Sequence, residues 1–217
     1  MIETKAIEAS DLMLATRERR VFSREGWWFE LKYDGFRCLV RKSHDRVDLV
    51  SRQGKLLNRS FPEIVDAVSA VPGSFVWDTE LTVDEPDGRS SFERLQQRAR
   101  TSVLTRVRAA ALKDPARLYV FDMLANGKRD LRPLALGERK VHLRETFENT
   151  NRLVYVVGTA DAGEWVFEQV KLHDFEGMVA KRSSAPYRAG RTRDWLKIKY
   201  EGYSRPAALG FGTARQL

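Results

Sequence analysis

The residues best suited to chemistry are a lysine in Lys-Tyr-Asp-Gly (32–35), carboxylates at 78, 80 and 176, and a lysine pair at 197 and 199. Lys-x-Asp-Gly arises by chance in about one chain in twenty of this length. Taken alone it reads equally as an Asp-Gly turn between two strands. Position adds weight: Trp27, Phe29, Leu31 and Tyr33 alternate onto one side, Trp28, Glu30 and Lys32 onto the other. A lysine on the polar face of a rigid strand, beside other cations, sheds its proton more readily and becomes a nucleophile. Asp78 and Glu80 share one face of a second strand, and Glu176 precedes Gly177 at the start of a third. Magnesium bound to nucleotide phosphates takes one or two such carboxylates and keeps waters elsewhere. Each carboxylate taken alone reads better as a solvated strand residue. Lys197 and Lys199 in WLKIK point to one side. Two like charges there suit a facing anion such as a triphosphate, although a charged edge strand that resists aggregation gives the same pattern.

Strands must position most of these groups. After Gly35 the chain resumes as short strands over 36–42 and 46–51. Ser60-Phe61-Pro62-Glu63 reads as a capping box opening a helix with Ile64, Val65, Val68 and Val71 as its apolar stripe, stopped by Pro72-Gly73. Residues 75–83 alternate as a strand, 91–113 read as helical, and 118–124 form an apolar strand before an Asn126-Gly127 turn. Helices follow over 136–147 and 161–172, the latter offered a cap by Asp161 and Glu164; strands close the pattern at 177–182 and 195–200. No regular βαβ rhythm appears, which predicts an α+β fold with largely antiparallel sheets flanked by helices.

The 217 residues suffice for one large domain, and 42% hydrophobic content is ordinary for a globular chain. A single cysteine, Cys38, allows no internal disulfide and fits a reducing compartment. The three histidines lack zinc-ligand spacing, and neither a membrane-length apolar run nor a signal-peptide core is present. These features predict no membrane association. The net charge of +8 would attract a polyanion, nucleic acid being the commonest, and equally fits a well-solubilised basic enzyme with no such partner.

Six segments in order, KYDGFR (32–37), SRQGK (51–55), WDTELTV (77–83), LYVFDML (118–124), EGMVAKR (176–182) and WLKIKY (195–200), resemble the successive motifs of ATP-dependent DNA ligases. That family belongs to the covalent nucleotidyltransferases, with RNA ligases and mRNA-capping enzymes. The resemblance covers about residues 11 to 200 and implies a ligase-type nucleotidyltransferase domain, ATP-grasp-like in class. It implies that Lys32 attacks the α-phosphorus of ATP to form lysyl-AMP, which then passes to the 5′-phosphate of a nick. It places Glu30 near the adenine edge and gives Arg37 and Arg52 to ribose or phosphates. It gives Glu80 to the ribose and the metal, and Glu176 to the metal, magnesium or manganese. Phe121 and Met178 fall on the two sides of the base; Lys197 and Lys199 grip the α-phosphate, and Arg191 joins them.

The tryptophan ahead of the lysine pair resembles DNA ligases; capping enzymes typically place one between the lysines. Met-Leu-Ala at 13–15 resembles a segment of bacterial ligases, including repair ligases of end joining, with Leu12 where a proline is usual. Thr79 stands at a usual glycine. The expected division is an adenylation domain over 1–200 and a tail over 201–217, without the OB-fold domain that normally follows. The resulting expectation is a cytoplasmic, nucleoid-associated bacterial enzyme acting on nicked or broken double-stranded DNA. DNA-repair proteins or an OB-fold partner in trans are its expected helpers. The alternatives are an RNA ligase or other covalent nucleotidyltransferase, and a non-catalytic nick-binding module.

Overall fold

The computed structural model describes residues 7–44, 46–101 and 103–204. Its elements run β1 (Met13–Glu18), β2 (Trp27–Lys32), β3 (Phe36–Ser43), β4 (Arg46–Ser51), α1 (Pro62–Ala70), β5 (Phe75–Val83), α2 (Phe92–Arg100) and α3 (Leu104–Lys113). Then come β6 (Ala116–Asn126), β7 (Arg129–Asp130), α4 (Leu136–Arg144), β8 (Leu153–Tyr155), β9 (Thr159–Ala160), α5 (Gly163–Leu172), β10 (Gly177–Arg182) and β11 (Gly190–Lys199). They form two sheets, β1-β11-β10-β2-β9 and β4-β3-β5-β6-β7, with β8 added beside β6. Pairing is antiparallel except between β1 and β11 and between β6 and β8.

Alternation decides which faces are covered. In the first sheet Trp27, Phe29, Met178, Ala180 and Ile198 pack beneath Val166 and Val170 of α5. In the second, Val40, Leu49, Trp77, Leu118 and Val120 share a core with Ile64 and Val68 of α1, Leu95 of α2 and Leu143 of α4. A third cluster, including Met13, Leu39, Val76, Leu124, Tyr187 and Trp195, joins the two sheets at one end. The opposed faces diverge elsewhere and leave a cleft.

Several local expectations need correction. The predicted helix over 91–113 is two helices, broken after Arg100, with Thr101 and Val103 extended. Arg98 accounts for the join: buried against Phe61, it donates to Ser60 O, Glu63 and Asp114 O, tying the ends of three helices together. Ser60 does not cap α1; its hydroxyl donates to the Ala99 and Thr101 carbonyls instead, and Phe61 is the N-cap. Asp161 and Glu164 do not supply the α5 cap either. Ser23, far away in sequence, accepts from Glu164 N at 3.1 Å and donates to the Glu164 carboxylate at 2.5 Å. The last strand begins at Gly190, five residues earlier than its pattern predicts, and pairs with β1, which sequence reading did not recognise as a strand. Of the expected tail, residues 205–217 lie outside the described residues.

Candidate active site

Three cross-strand rows lay out the cleft face of the first sheet. Lys32 on β2, Gly177 on β10 and Lys199 on β11 stand opposite one another; Glu30, Val179 and Lys197 form the next row, then Trp28, Lys181 and Trp195. The glycine in the first row is required by close approach: a Cβ on Gly177 would lie 2.1 Å from Ile198 O and 2.9 Å from Lys199 Cα. Glu176 fills the space between the flanking lysines. Its carboxylate lies 2.5 Å from Lys32 Nζ and 2.7 Å from Lys199 Nζ. Burial alone would raise Glu176, but the two lysines outweigh it and hold it below the usual carboxylate range.

The second sheet supplies the opposite wall. Gly35 lets the chain cross between sheets, since a Cβ there would stand 2.3 Å from Leu81 O. Arg37 follows on β3, its guanidinium paired with Asp78 at 2.9 and 2.6 Å. Tyr187 donates its hydroxyl to the same carboxylate at 2.6 Å. Asp78 is therefore a buried anchor for Arg37, while Glu80, two residues on, lines the cleft. Burial raises Glu80 to about 7; Lys32 and Arg37 oppose that rise, and Asp78 and Glu176 add to it. Thr79, between them, points away and donates to Cys38 O at 2.6 Å, so it fits its strand.

Phe121 reaches the cleft through a bulge. Asp78 pairs with Asp122 and Thr79 with Val120, leaving Phe121 as the extra residue on β6. Its ring meets Trp195 edge-on at 6.1 Å. Lys181 Nζ sits 4.4 Å from the Phe121 centroid and 4.3 Å from that of Trp195. Glu30 is buried between two lysines, with Oε1 2.5 Å from Lys140 Nζ and Oε2 2.5 Å from Lys181 Nζ.

The cleft has a volume of about 1010 Å³, large enough for a nucleotide. Its wall includes Lys32, Glu30, Arg37, Arg52, Glu80, Phe121, Arg191 and Lys197. Glu176 and Lys199 are not part of that wall; they stand behind it, Glu176 paired with both Lys32 and Lys199. Lys197 is held below the ordinary lysine value, first by partial burial, then by Lys199, Lys32, Arg191 and Arg52. Four cations, Lys32, Arg52, Arg191 and Lys197, thus line the cavity, with Lys199 close enough to act on Lys197. An oligophosphate would relieve their repulsion.

Met178 is the exception. It is fully buried against α5 on the far face of β10, and its neighbour Val179 lines the cavity instead. Period-two alternation from Gly177 gives the reason: Val179 and Lys181 share the face of the Lys32 row, and Met178 opposes it. Sequence reading also passed over Lys181, which the same alternation marks. It passed over Lys140 as well, whose helix carries no signal that its lysine reaches Glu30.

A family model described as the ATP dependent DNA ligase domain matches residues 12–199. DNA ligase C1 of Mycolicibacterium smegmatis is 34% identical over 210 residues, covering 92% of this chain and 59% of its own length. The bifunctional non-homologous end joining protein LigD of Bacillus subtilis is 30% identical over 190 residues, covering 80% and 31%. Among solved structures, the ligase domain of M. tuberculosis LigD superposes with a TM-score of 0.74 at 27% identity, covering 87% of this chain and 59% of that one. A mycobacterial DNA ligase D complexed with ATP and MES gives 0.72 at 26% identity, covering 88% and 60%. The chain therefore spans less than two thirds of each of these relatives. With its motifs gathered around one cleft and the family model spanning nearly all of it, the chain belongs to the ATP-dependent DNA ligase domain family.

Proposed function

We propose that this chain charges itself with AMP from ATP at Lys32 and hands that AMP to the 5′-phosphate of a DNA nick, the first two steps of strand sealing. The observation that carries the reading is the row Lys32–Gly177–Lys199 with Glu176 held between the lysines. It fixes a nucleophile at the cationic end of a nucleotide-sized cavity.

In the first step Lys32 Nζ bonds to the α-phosphorus while the bond from that phosphorus to the bridging oxygen breaks. Pyrophosphate departs with the electron pair. The ammonium first gives up its proton, to solvent or to the Glu176 carboxylate 2.5 Å away. Lys197, Lys199, Arg191 and Arg52 stabilise negative charge on the phosphoryl oxygens. Arg37, clamped by Asp78, faces the same region. Among the described residues no group of three metal-ligating side chains occurs. Glu80 and Glu176 nevertheless suit an ion that takes one or two carboxylates and fills its sphere with water and phosphate oxygens. Glu80, left with its charge poorly compensated, fits that use. Magnesium or manganese held by Glu80 and Glu176 would supply charge neutralisation at the phosphates.

At the other end Phe121 and Val179 line the space for the base, and Glu30 is the acceptor available to an exocyclic amino group. Transfer to the nick follows when a 5′-phosphate oxygen attacks the lysyl-AMP phosphorus and Lys32 leaves; a 3′-hydroxyl then displaces AMP. The net charge of +8 and Arg52, Lys55 and Arg100 at the cavity wall suit nicked or broken duplex DNA. The similarity to end-joining relatives supports a role in break repair alongside other repair proteins.

Incubation with α-labelled ATP and magnesium should label the protein, and Lys32→Ala should lose the label completely. No adduct, or one that survives Lys32→Ala, overturns the reading. Parallel labelling with GTP, and sealing of nicked DNA against nicked RNA, separates this function from capping and RNA joining.

A further inference from the structure

Glu30 is 2% exposed, yet it sits in the cavity wall with two equally buried lysines against it. Lys181 comes from the same sheet, by way of β10. Lys140 comes from α4, which packs on β6 of the other sheet, and its ammonium reaches Oε1 at 2.5 Å. The Lys140 ammonium is fixed in turn: it donates to Val156 O at 2.7 Å and lies 4.9 Å from the Tyr155 ring centroid. Buried charges cost several kcal/mol each unless paired, and here two cations share one carboxylate. Neither Glu30 Oε1 nor Lys181 Nζ has an aligned hydrogen-bond partner. Buried polar atoms in native folds are nearly always satisfied; these two border a cavity and have capacity left for a ligand.

Resting on the adenylation reading above, we propose that Lys140 is a positioning residue for base selection. Through its ion pair it fixes the orientation of Glu30, so that the carboxylate accepts a hydrogen bond from the 6-amino group of adenine. A 6-oxo purine presents an acceptor at the same point and meets a carboxylate that cannot turn away. Without Lys140, Glu30 has only Lys181 to follow and swings toward it, and discrimination at position 6 falls. Burial draws Lys140 below the ordinary lysine value against the pull of Glu30, in keeping with a group retained for orientation at some cost in desolvation.

The test compares adduct formation from ATP and from inosine triphosphate, which carries oxygen at position 6, in wild type, K140M, K140Q, E30Q and the double variant E30Q/K140M. In K140M and K140Q the ATP-to-inosine-triphosphate ratio of kcat/KM should fall about tenfold or more. For ATP the loss should appear in KM more than in kcat. On the E30Q background K140M should lower the ratio no further. Thermal unfolding of each variant runs alongside, because a purely structural lysine would lower Tm and leave the ratio unchanged. K140Q carries the measurement if K140M does not fold. An unchanged ratio in either folded variant, a full additional effect in the double variant, or a wild type indifferent to the two nucleotides overturns the inference. Absence of any wild-type adduct would instead overturn the adenylation reading beneath it.

Discussion

Lys32 and Lys199 can share Glu176 only because nothing projects from the residue between them. Gly177→Ala should therefore push β11 away from β10, costing about 1–3 kcal/mol as an overpacked site, measurable by denaturant unfolding. Adduct formation should fall further than stability predicts, because the spacing of both lysines changes; a stable, fully active variant would refute this. At this scale the sequence was informative where a side chain's role follows from strand alternation. Lys32, Glu30, Glu80 and Lys197 all lie on the faces that alternation assigns them. Met178 was misplaced because motif order overrode that rule, and Val179 and Lys181 hold the positions the rule would have chosen. Asp78 shows what remained illegible: its alternation matches Glu80, but a partner from Tyr187, 109 residues away, makes it an anchor.

Among the elements, α4 carries a fully buried pair besides that of Lys140 with Glu30. Arg139 binds both oxygens of Asp122 at 2.8 Å and also donates to Leu134 O and Ala185 O, with neither member of the pair exposed. Arg139→Met leaves a lone buried carboxylate and should cost about 3–5 kcal/mol. Adding Asp122→Leu should recover much of that loss, again by denaturant unfolding; a double variant no better than the single one would contradict it. Strands with clear alternation, such as β2 and β5, were readable because their large apolar residues alternate onto the helix-packed face, opposite the face that carries Lys32 and Glu80. The break between α2 and α3, the start of β11 and the cap of α5 were not. Ser60 and Glu63 (through Arg98), β1 and Ser23 decide them from distant parts of the chain, and local propensity carries no trace of such partners.

For the molecule as a whole, the net charge is +8, and Arg52 and Lys55 stand at the cavity wall. Affinity for nicked duplex should fall steeply as salt rises. Arg52→Ala and Lys55→Ala should each flatten the slope of log affinity against log salt by about one unit if each meets a phosphate; unchanged slopes would place the DNA elsewhere. The parallel pairing of β1 with β11 has a consequence of another kind, in time rather than in space. Contacts among β3, β4, β5 and β6 join segments that emerge from the ribosome close together, whereas the sheet bearing Lys32 waits for residues 177–199. Loop closure over that separation is slow. Pulsed hydrogen exchange during refolding should find β3 to β6 protected before β10 and β11; simultaneous protection would argue against this order. A nascent chain would thus own a formed half long before it owned a reactive lysine, and premature consumption of nucleotide would be prevented by the order of synthesis itself.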